Sequence, residues 1–362
     1  MNEQEMNEQE IRIAIQKTVI ALAKEPKKPE HYHQLAKFYA MQEEYDKVIS
    51  IYDSLLAFSP EDMDALLNIG SIWFFQKEYR KALKTFERAM SVNPSNYLVY
   101  YNLANTYAEM KNFSKSLRWY NRTLDFISTE PEVYNSIALL YHDFEDYIEA
   151  KAYYEKALSL DPENLTALVD LGNVSFKLYD YEGAYEYYHK VFEIEPTNQT
   201  VALCLANTLS LLKREDQANK YFELSLTLEG DSDYRAIICY AISRSDFKRY
   251  DEAIALYQRA IEHSPEEVKA YILLGNMHSN LRQYEDAEKN YKAALRISKL
   301  DPDLYILIAN TYYMNNEIER SIYSYKAAVG LRPENDEFKL VFIQVLEDFM
   351  EQDRKEEIVE EF

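Results

Sequence analysis

Between Pro131 and Asn164 the apolar residues fall into two short runs that share one spacing. Tyr134, Ile137, Ala138 and Tyr141 recur three and four residues apart, which places a single apolar stripe on a helix. Tyr147, Ala150, Tyr154, Ala157 and Leu158 repeat that spacing, and Asp161-Pro162 ends it, because proline pushes the residue before it out of the α region. The stretch predicts a helical hairpin. Such a hairpin is left with apolar faces it cannot bury alone, so it needs neighbours of the same kind.

The pattern recurs along the chain with a period of about 34 residues. Its joints are marked by Pro60, Pro94, Ser128, Pro162, Pro196, Gly230, Pro265, Lys299 and Pro333. Mid-way along each first helix stands a small residue: Ala36, Gly70, Ala104, Ala138, Gly172, Ala206, Ala241, Gly275 and Ala309. In each second helix an aromatic recurs: Tyr52, Phe86, Tyr120, Tyr154, Tyr188, Phe222, Tyr257, Tyr291 and Tyr325. Four residues before each aromatic the side chain is again mostly small, as at Ala82, Ser116, Ala150 and Ser321. The reason is steric: small residues let two helices approach, and a ring from one fills the hollow left by the other.

These boundaries predict nine repeats over 29–335, starting near 29, 63, 97, 131, 165, 199, 234, 268 and 302. Residues 1–10 read as a frayed polar N-terminus. Ile11, Ile15, Val19 and Leu22 trace a capping helix over 11–28. After Pro333, Phe338, Val341, Phe342 and Leu346 continue into a C-terminal capping helix with an acidic tail, 336–362. One joint departs from the rule. Around Gly230 the proline is missing, one residue is inserted, and Glu215 replaces the aromatic that Tyr181, Tyr250 and Tyr284 supply at the start of sister second helices. That joint reads as a glycine stop followed by Asp or Ser capping, with a flexible hinge as the alternative.

Composition narrows the function. With 47% apolar residues but only six glycines and ten prolines in 362, the chain is expected to be mostly helix. A net charge of −22 argues against unaided binding to nucleic acid or an anionic membrane and favours a neutral to basic protein or peptide. No apolar run reaches the length of a membrane span, and MNEQEMNEQE is no secretion leader, so a cytoplasmic location is expected. Cys204 and Cys239 occupy the same position of adjacent repeats, about 8 to 10 Å apart if they follow their helix axes, and are expected to be free, buried thiols.

The small residue, aromatic, alanine and terminal proline at these offsets resemble the tetratricopeptide repeat, over nearly the whole chain. The tryptophan usual near each repeat start is replaced here, as by Tyr32, Leu66, Tyr100, Tyr134 and Leu168. The resemblance implies an all-α, right-handed superhelical α-solenoid of helix-turn-helix repeats with capping helices at both ends. It also implies that first helices line a concave groove which binds extended peptides.

The chemistry of catalysis is absent from the pattern. The glycines serve helix packing or helix ends, the six histidines are scattered without ligand spacing, and no nucleophile is paired with a base, so no catalytic residue, cofactor or metal is expected. The groove remains. One residue after the small position stand Lys37, Asn105, Asn173, Asn207, Asn276 and Asn310, and two residues before it stand Asn68 and Asn102. An asparagine ladder can pair with peptide backbone regardless of sequence. The plainer alternative is that these asparagines bond to the neighbouring helix. The expected function is a non-catalytic scaffold holding a partner in the groove, with a substrate-recruiting arm of a multi-chain enzyme such as a protein glycosyltransferase as the alternative and self-association left open. The Lys and Arg offsets of a carboxylate clamp are not met by Lys37 and Lys269.

Overall fold

Several helix starts are set by side chains that accept from the first free backbone N–H groups. Asp62 caps Ala65 at 2.9 Å, Asn164 caps Ala167 at 3.0 Å and Asn198 caps Val201 at 3.1 Å. In the computed structural model, which describes residues 7–228 and 233–360, twenty helices follow one another and no strand occurs among the described residues. The chain forms two compact units, Met1–Asp180 and Tyr181–Phe362.

The first unit holds α1 (Glu8–Lys24), four hairpins and one further helix. The hairpins are α2 (Pro29–Met41) with α3 (Tyr45–Leu56), α4 (Met63–Phe75) with α5 (Tyr79–Val92), α6 (Tyr97–Glu109) with α7 (Phe113–Leu124), and α8 (Pro131–Asp143) with α9 (Tyr147–Leu160); α10 (Leu165–Lys177) follows. The second unit opens with α11 (Tyr181–Ile194). Its hairpins are α12 (Gln199–Leu211) with α13 (Glu215–Thr227), α14 (Asp233–Asp246) with α15 (Tyr250–His263), α16 (Val268–Asn280) with α17 (Tyr284–Ile297), and α18 (Pro302–Met314) with α19 (Ile318–Leu331); α20 (Asp336–Glu360) ends it. Each unit is an α-solenoid, every helix packing on the next.

The expected polar N-terminus is shorter than its sequence suggests. A capping box between Asn7 and Glu10 starts α1 at Glu8, three residues ahead of the first apolar stripe position, Ile11. The joint around Gly230 lies outside the described residues.

Inside each hairpin the small and ring-bearing positions meet as the steric argument requires. A Cβ on Gly70 would stand 2.3 Å from the Phe86 ring, and one on Gly275 would stand 2.5 Å from that of Tyr291. Serine replaces alanine at two slots without leaving its hydroxyl orphaned: Ser116 donates to the Ala104 carbonyl and Ser321 to that of Ala309, each at 2.9 Å. Tyrosine in the usual tryptophan position adds a tie to the preceding joint, since Tyr100 donates to the Pro94 carbonyl at 2.6 Å and Tyr32 to that of Pro26 at 2.9 Å.

After each of the nine first helices, α2 to α18, stands one residue in the left-handed region, from Lys111 at φ 55° to Tyr179 at φ 63°, and none of the nine is glycine. Lys77 and Glu78 show the closure: their N–H groups donate to Phe74 and Trp73 carbonyls at 2.9 and 2.8 Å, capping the first helix.

Candidate functional site

Curvature decides which helices line an inner face. In the first unit α4 touches α6 and α6 touches α8, and in the second α12 touches α14, while no consecutive second helices make comparable contact among the described residues. Each unit therefore bends with its first helices inside. The predicted residues stand on those helices: Lys37, Asn68, Asn102, Asn105 and Asn173 in the first unit, Asn207, Asn276 and Asn310 in the second.

Lys37 and Asn68 share one hollow, a cavity of about 540 Å³ between α2 and α4 whose lining includes His33, Asp64, Ser71 and Phe75. Lys37 and Asn68 are exposed there, and the Phe75 ring is 78% exposed. Asn68 Nδ2 donates to the Asp64 carbonyl at 2.8 Å, and His33 meets Asp62 at 3.2 Å.

Three asparagines are tied to their own hairpin. The Tyr120 hydroxyl donates to Asn105 Oδ1 at 2.5 Å, that of Tyr291 to Asn276 Oδ1 at 2.6 Å, and that of Tyr325 to Asn310 Oδ1. Burial pushes the Tyr291 and Tyr325 hydroxyls up to about 12 and that of Tyr120 higher still, so each stays a donor at neutral pH. Each bond uses the acceptor end of the amide. The Nδ2 end, with two N–H groups, has no protein partner among the described residues. Thus in each pair the tyrosine hydroxyl fixes which end of the amide is engaged and leaves its N–H donors outside that bond. Asn207 stands opposite Phe222, which has no hydroxyl to hold it. Asn102 is half-buried in α6, and Asn173 bonds to Asp170, whose carboxyl burial holds above the usual range.

Sequence reasoning missed the tyrosine half of these pairs, although Asn and Tyr fifteen residues apart were there to be seen. Where leucine replaces asparagine, at Leu139, the Tyr154 hydroxyl is buried beside Asp170 without meeting hydrogen-bond geometry. Tyr120→Phe is accordingly expected to cost about 1 kcal/mol and Tyr154→Phe less, because the Tyr154 hydroxyl has only a poorly aligned contact with Asp170 to lose. Urea titration of the two variants at equal m-value checks this; equal losses would remove the distinction.

In the second unit α17, α18 and α19 enclose another cavity of about 460 Å³, with Arg320 over the Tyr312 ring at 4.0 Å and Glu288 taking bonds from Lys292, Tyr312 and Arg320. Its charges are largely satisfied by one another. Cys204 and Cys239 are free thiols, half-buried rather than fully so, and burial raises the Cys204 thiol, which suppresses its reactivity. No described helix is long and apolar enough to cross a membrane.

Comparison with known proteins agrees with this architecture. Family models described as tetratricopeptide repeat match residues 131–164, residues 76–140 with 246–289, and residues 278–336. No curated protein matches by sequence. Among solved structures, a tetratricopeptide repeat protein from Parabacteroides merdae aligns with TM-score 0.55 at 17% identity, covering 69% of this chain and 98% of its own. Yeast Tom70 aligns at TM-score 0.48 and 16% identity over 96% of this chain and 93% of its own. PilF of Pseudomonas aeruginosa aligns at TM-score 0.48 and 20% identity over 57% of this chain and 94% of its own. With its helical hairpins, its small-residue and ring register and the family-model matches, the chain belongs to the tetratricopeptide repeat family.

Proposed function

We propose that this protein is a non-catalytic interaction scaffold that holds an extended segment of a partner against the inner faces of its first helices. The observation that carries the reading is the oriented amide: with Oδ1 of Asn105, Asn276 and Asn310 engaged by tyrosine, what each residue offers a partner is an N–H donor. Carbonyl oxygens of a peptide backbone are the complementary group, and they recur in every peptide whatever its sequence. Side-chain preference then comes from the hollow at Lys37 and Asn68, where Asp64 favours a basic or neutral residue and Phe75 an apolar one.

Selection from a displayed library of random short peptides tests this. Wild type is expected to enrich binders with a weak consensus, and a variant with Asn105, Asn276 and Asn310 changed to alanine, its helix content checked because three tyrosine hydroxyls lose their acceptors, is expected to lose them. Peptides so selected should bind equally as acids or amides to within about tenfold, a difference of about 1.4 kcal/mol. Undiminished enrichment by the triple variant would remove the ladder from the account.

A further inference from the structure

The net charge of −22 conceals a basic face in the first unit. On α7, Lys115, Arg118 and Arg122 are spaced at i, i+3 and i+7, so they share one side of the helix, and Lys111 stands in the turn before it. One repeat earlier Lys81, Lys84 and Arg88 occupy the same register on α5, with Lys77 in the turn before it, and all eight are exposed. The two helices flank α6, against which both pack. No other repeat keeps this stripe. The corresponding residues are Glu43, Lys47, Ser50 and Ser54 in the first repeat and Glu145, Glu149, Ala152 and Lys156 in the fourth.

Little within the protein neutralises these bases. Lys81, Lys111 and Arg122 make exposed ion pairs with Glu78, Asp143 and Asp125. Lys77, Lys84, Lys115 and Arg118 have none among the described residues. Aromatic rings lie beneath instead: Lys81 Nζ is 4.2 Å from the Trp73 ring centre, Lys115 Nζ 4.9 Å from that of Tyr107, and Arg122 5.0 Å from that of Phe126. Trp119, beside Arg118, packs into the core cluster that includes Phe86 and Ala89 of α5, and so does Trp73. Both tryptophans of the chain thus stand half-buried under one basic face.

We infer that this face is a second docking surface, separate from the inner groove, for a short acidic segment of a partner protein. Charge complementarity names the occupant and its size. The seven-residue step from Lys115 to Arg122 gives the helical part of the stripe a length of about 10 Å, and attraction fades beyond a screening length of about 8 Å at physiological salt. A carboxylate-rich segment of that length stays on the bases. A nucleic acid or a membrane surface would extend past them onto Glu43, Glu145 and Glu149 and the acidic remainder of the chain.

The test uses the full chain and an oligoglutamate of about twelve residues, long enough to span the stripe, with oligoglutamine as the neutral control. Tryptophan emission, excited where tyrosine is silent, is expected to change saturably with oligoglutamate alone, and the affinity to fall steeply between low and physiological salt. The variant Lys77→Gln, Lys84→Gln, Lys111→Gln, Arg118→Gln is expected to lose binding tenfold or more with an unchanged thermal midpoint, these residues being exposed. Removing four bases in the second unit, Lys220→Gln, Lys248→Gln, Arg259→Gln and Lys289→Gln, is expected to change it less than twofold. Should the first variant fold poorly, Arg118→Gln alone is compared by the same titration and is expected to weaken binding at least threefold. Equal loss in both fourfold variants, absence of oligoglutamate binding, or tighter binding of oligouridylate or phosphatidylserine vesicles overturns the inference.

Discussion

Glu215→Ala is expected to destabilise the second unit by about 3 to 5 kcal/mol, the cost of leaving a buried charge without its partner. The charge is the Arg244 guanidinium. Its side chain is 3% exposed, its Nη1 lies 3.2 Å from Glu215 and 3.4 Å from Glu252, and its Nε and Nη2 are buried with no hydrogen-bond partner. Glu252 is mostly exposed and compensates little, because solvent screens it. Tyr240 and Phe247 flank the guanidinium at 5.5 Å each and supply a softer, ring-face attraction that does not replace a carboxylate.

The comparison that isolates the pair is already present in the chain. Two repeats carry the same contact across a seam: Phe113 meets Tyr141 edge-on at 5.2 Å in the first unit, where Glu215 meets Arg244 in the second. One position opens a second helix and the other lies three residues past the small residue of the next first helix. The aromatic pair has become an ion pair by two coupled replacements. Introducing Glu215→Phe and Arg244→Tyr together is therefore expected to restore or exceed wild-type stability, since an apolar pair of matching shape avoids the desolvation that the ions suffer. Urea unfolding of wild type, both single variants and the double variant measures the coupling. A single-variant loss below about 1 kcal/mol would show the pair to be ordinary surface charge.

That coupling shows where the sequence could be read and where it could not. The ring-and-hollow register was legible because it recurs at one offset in every repeat, and repetition turns a weak local preference into a pattern. Glu215 was visible only as a missing aromatic, since its meaning depends on Arg244 in the next repeat. The hairpin turns gave no signal at all. Glu43, Lys111 and Tyr179 adopt positive φ without being glycine or, but for Asn316 among their sisters, asparagine, because closure of the helix end outweighs the roughly 1 kcal/mol that a Cβ costs there. In the groove the sequence placed the asparagines on first helices but left their orientation open, since an amide offers both a donor and an acceptor. The tyrosines of the second helices supply what decides it. Net charge leaves something else out: a total says nothing of where the bases lie, and their spacing on α5 and α7 emerges only when repeats are laid over one another.

Phe86→Ala is expected to cost about 3 to 5 kcal/mol, as for a large ring taken from a packed core, and the state of Gly70 gives that loss a distinctive sign test. The Phe86 ring is 1% exposed and fills the hollow that Gly70 leaves open. In wild type, Gly70→Ala would drive a methyl to within 2.3 Å of the ring, and the overpacking costs about 1 to 3 kcal/mol before a helix-propensity gain of roughly 1 kcal/mol is set against it. Sister hairpins accept alanine at this slot opposite tyrosine, as at Ala104 and Tyr120, so the ring can shift and the lower end of that range applies. In the Phe86→Ala background the ring is gone. The same Gly70→Ala change then meets empty space, keeps its propensity gain and fills part of the cavity, so it is expected to stabilise by about 1 kcal/mol. Chemical denaturation of the four proteins reads the reversal directly. If Gly70→Ala has the same effect with and without the ring, the two residues do not share one hollow, and close approach through a small residue is not what holds the hairpin together.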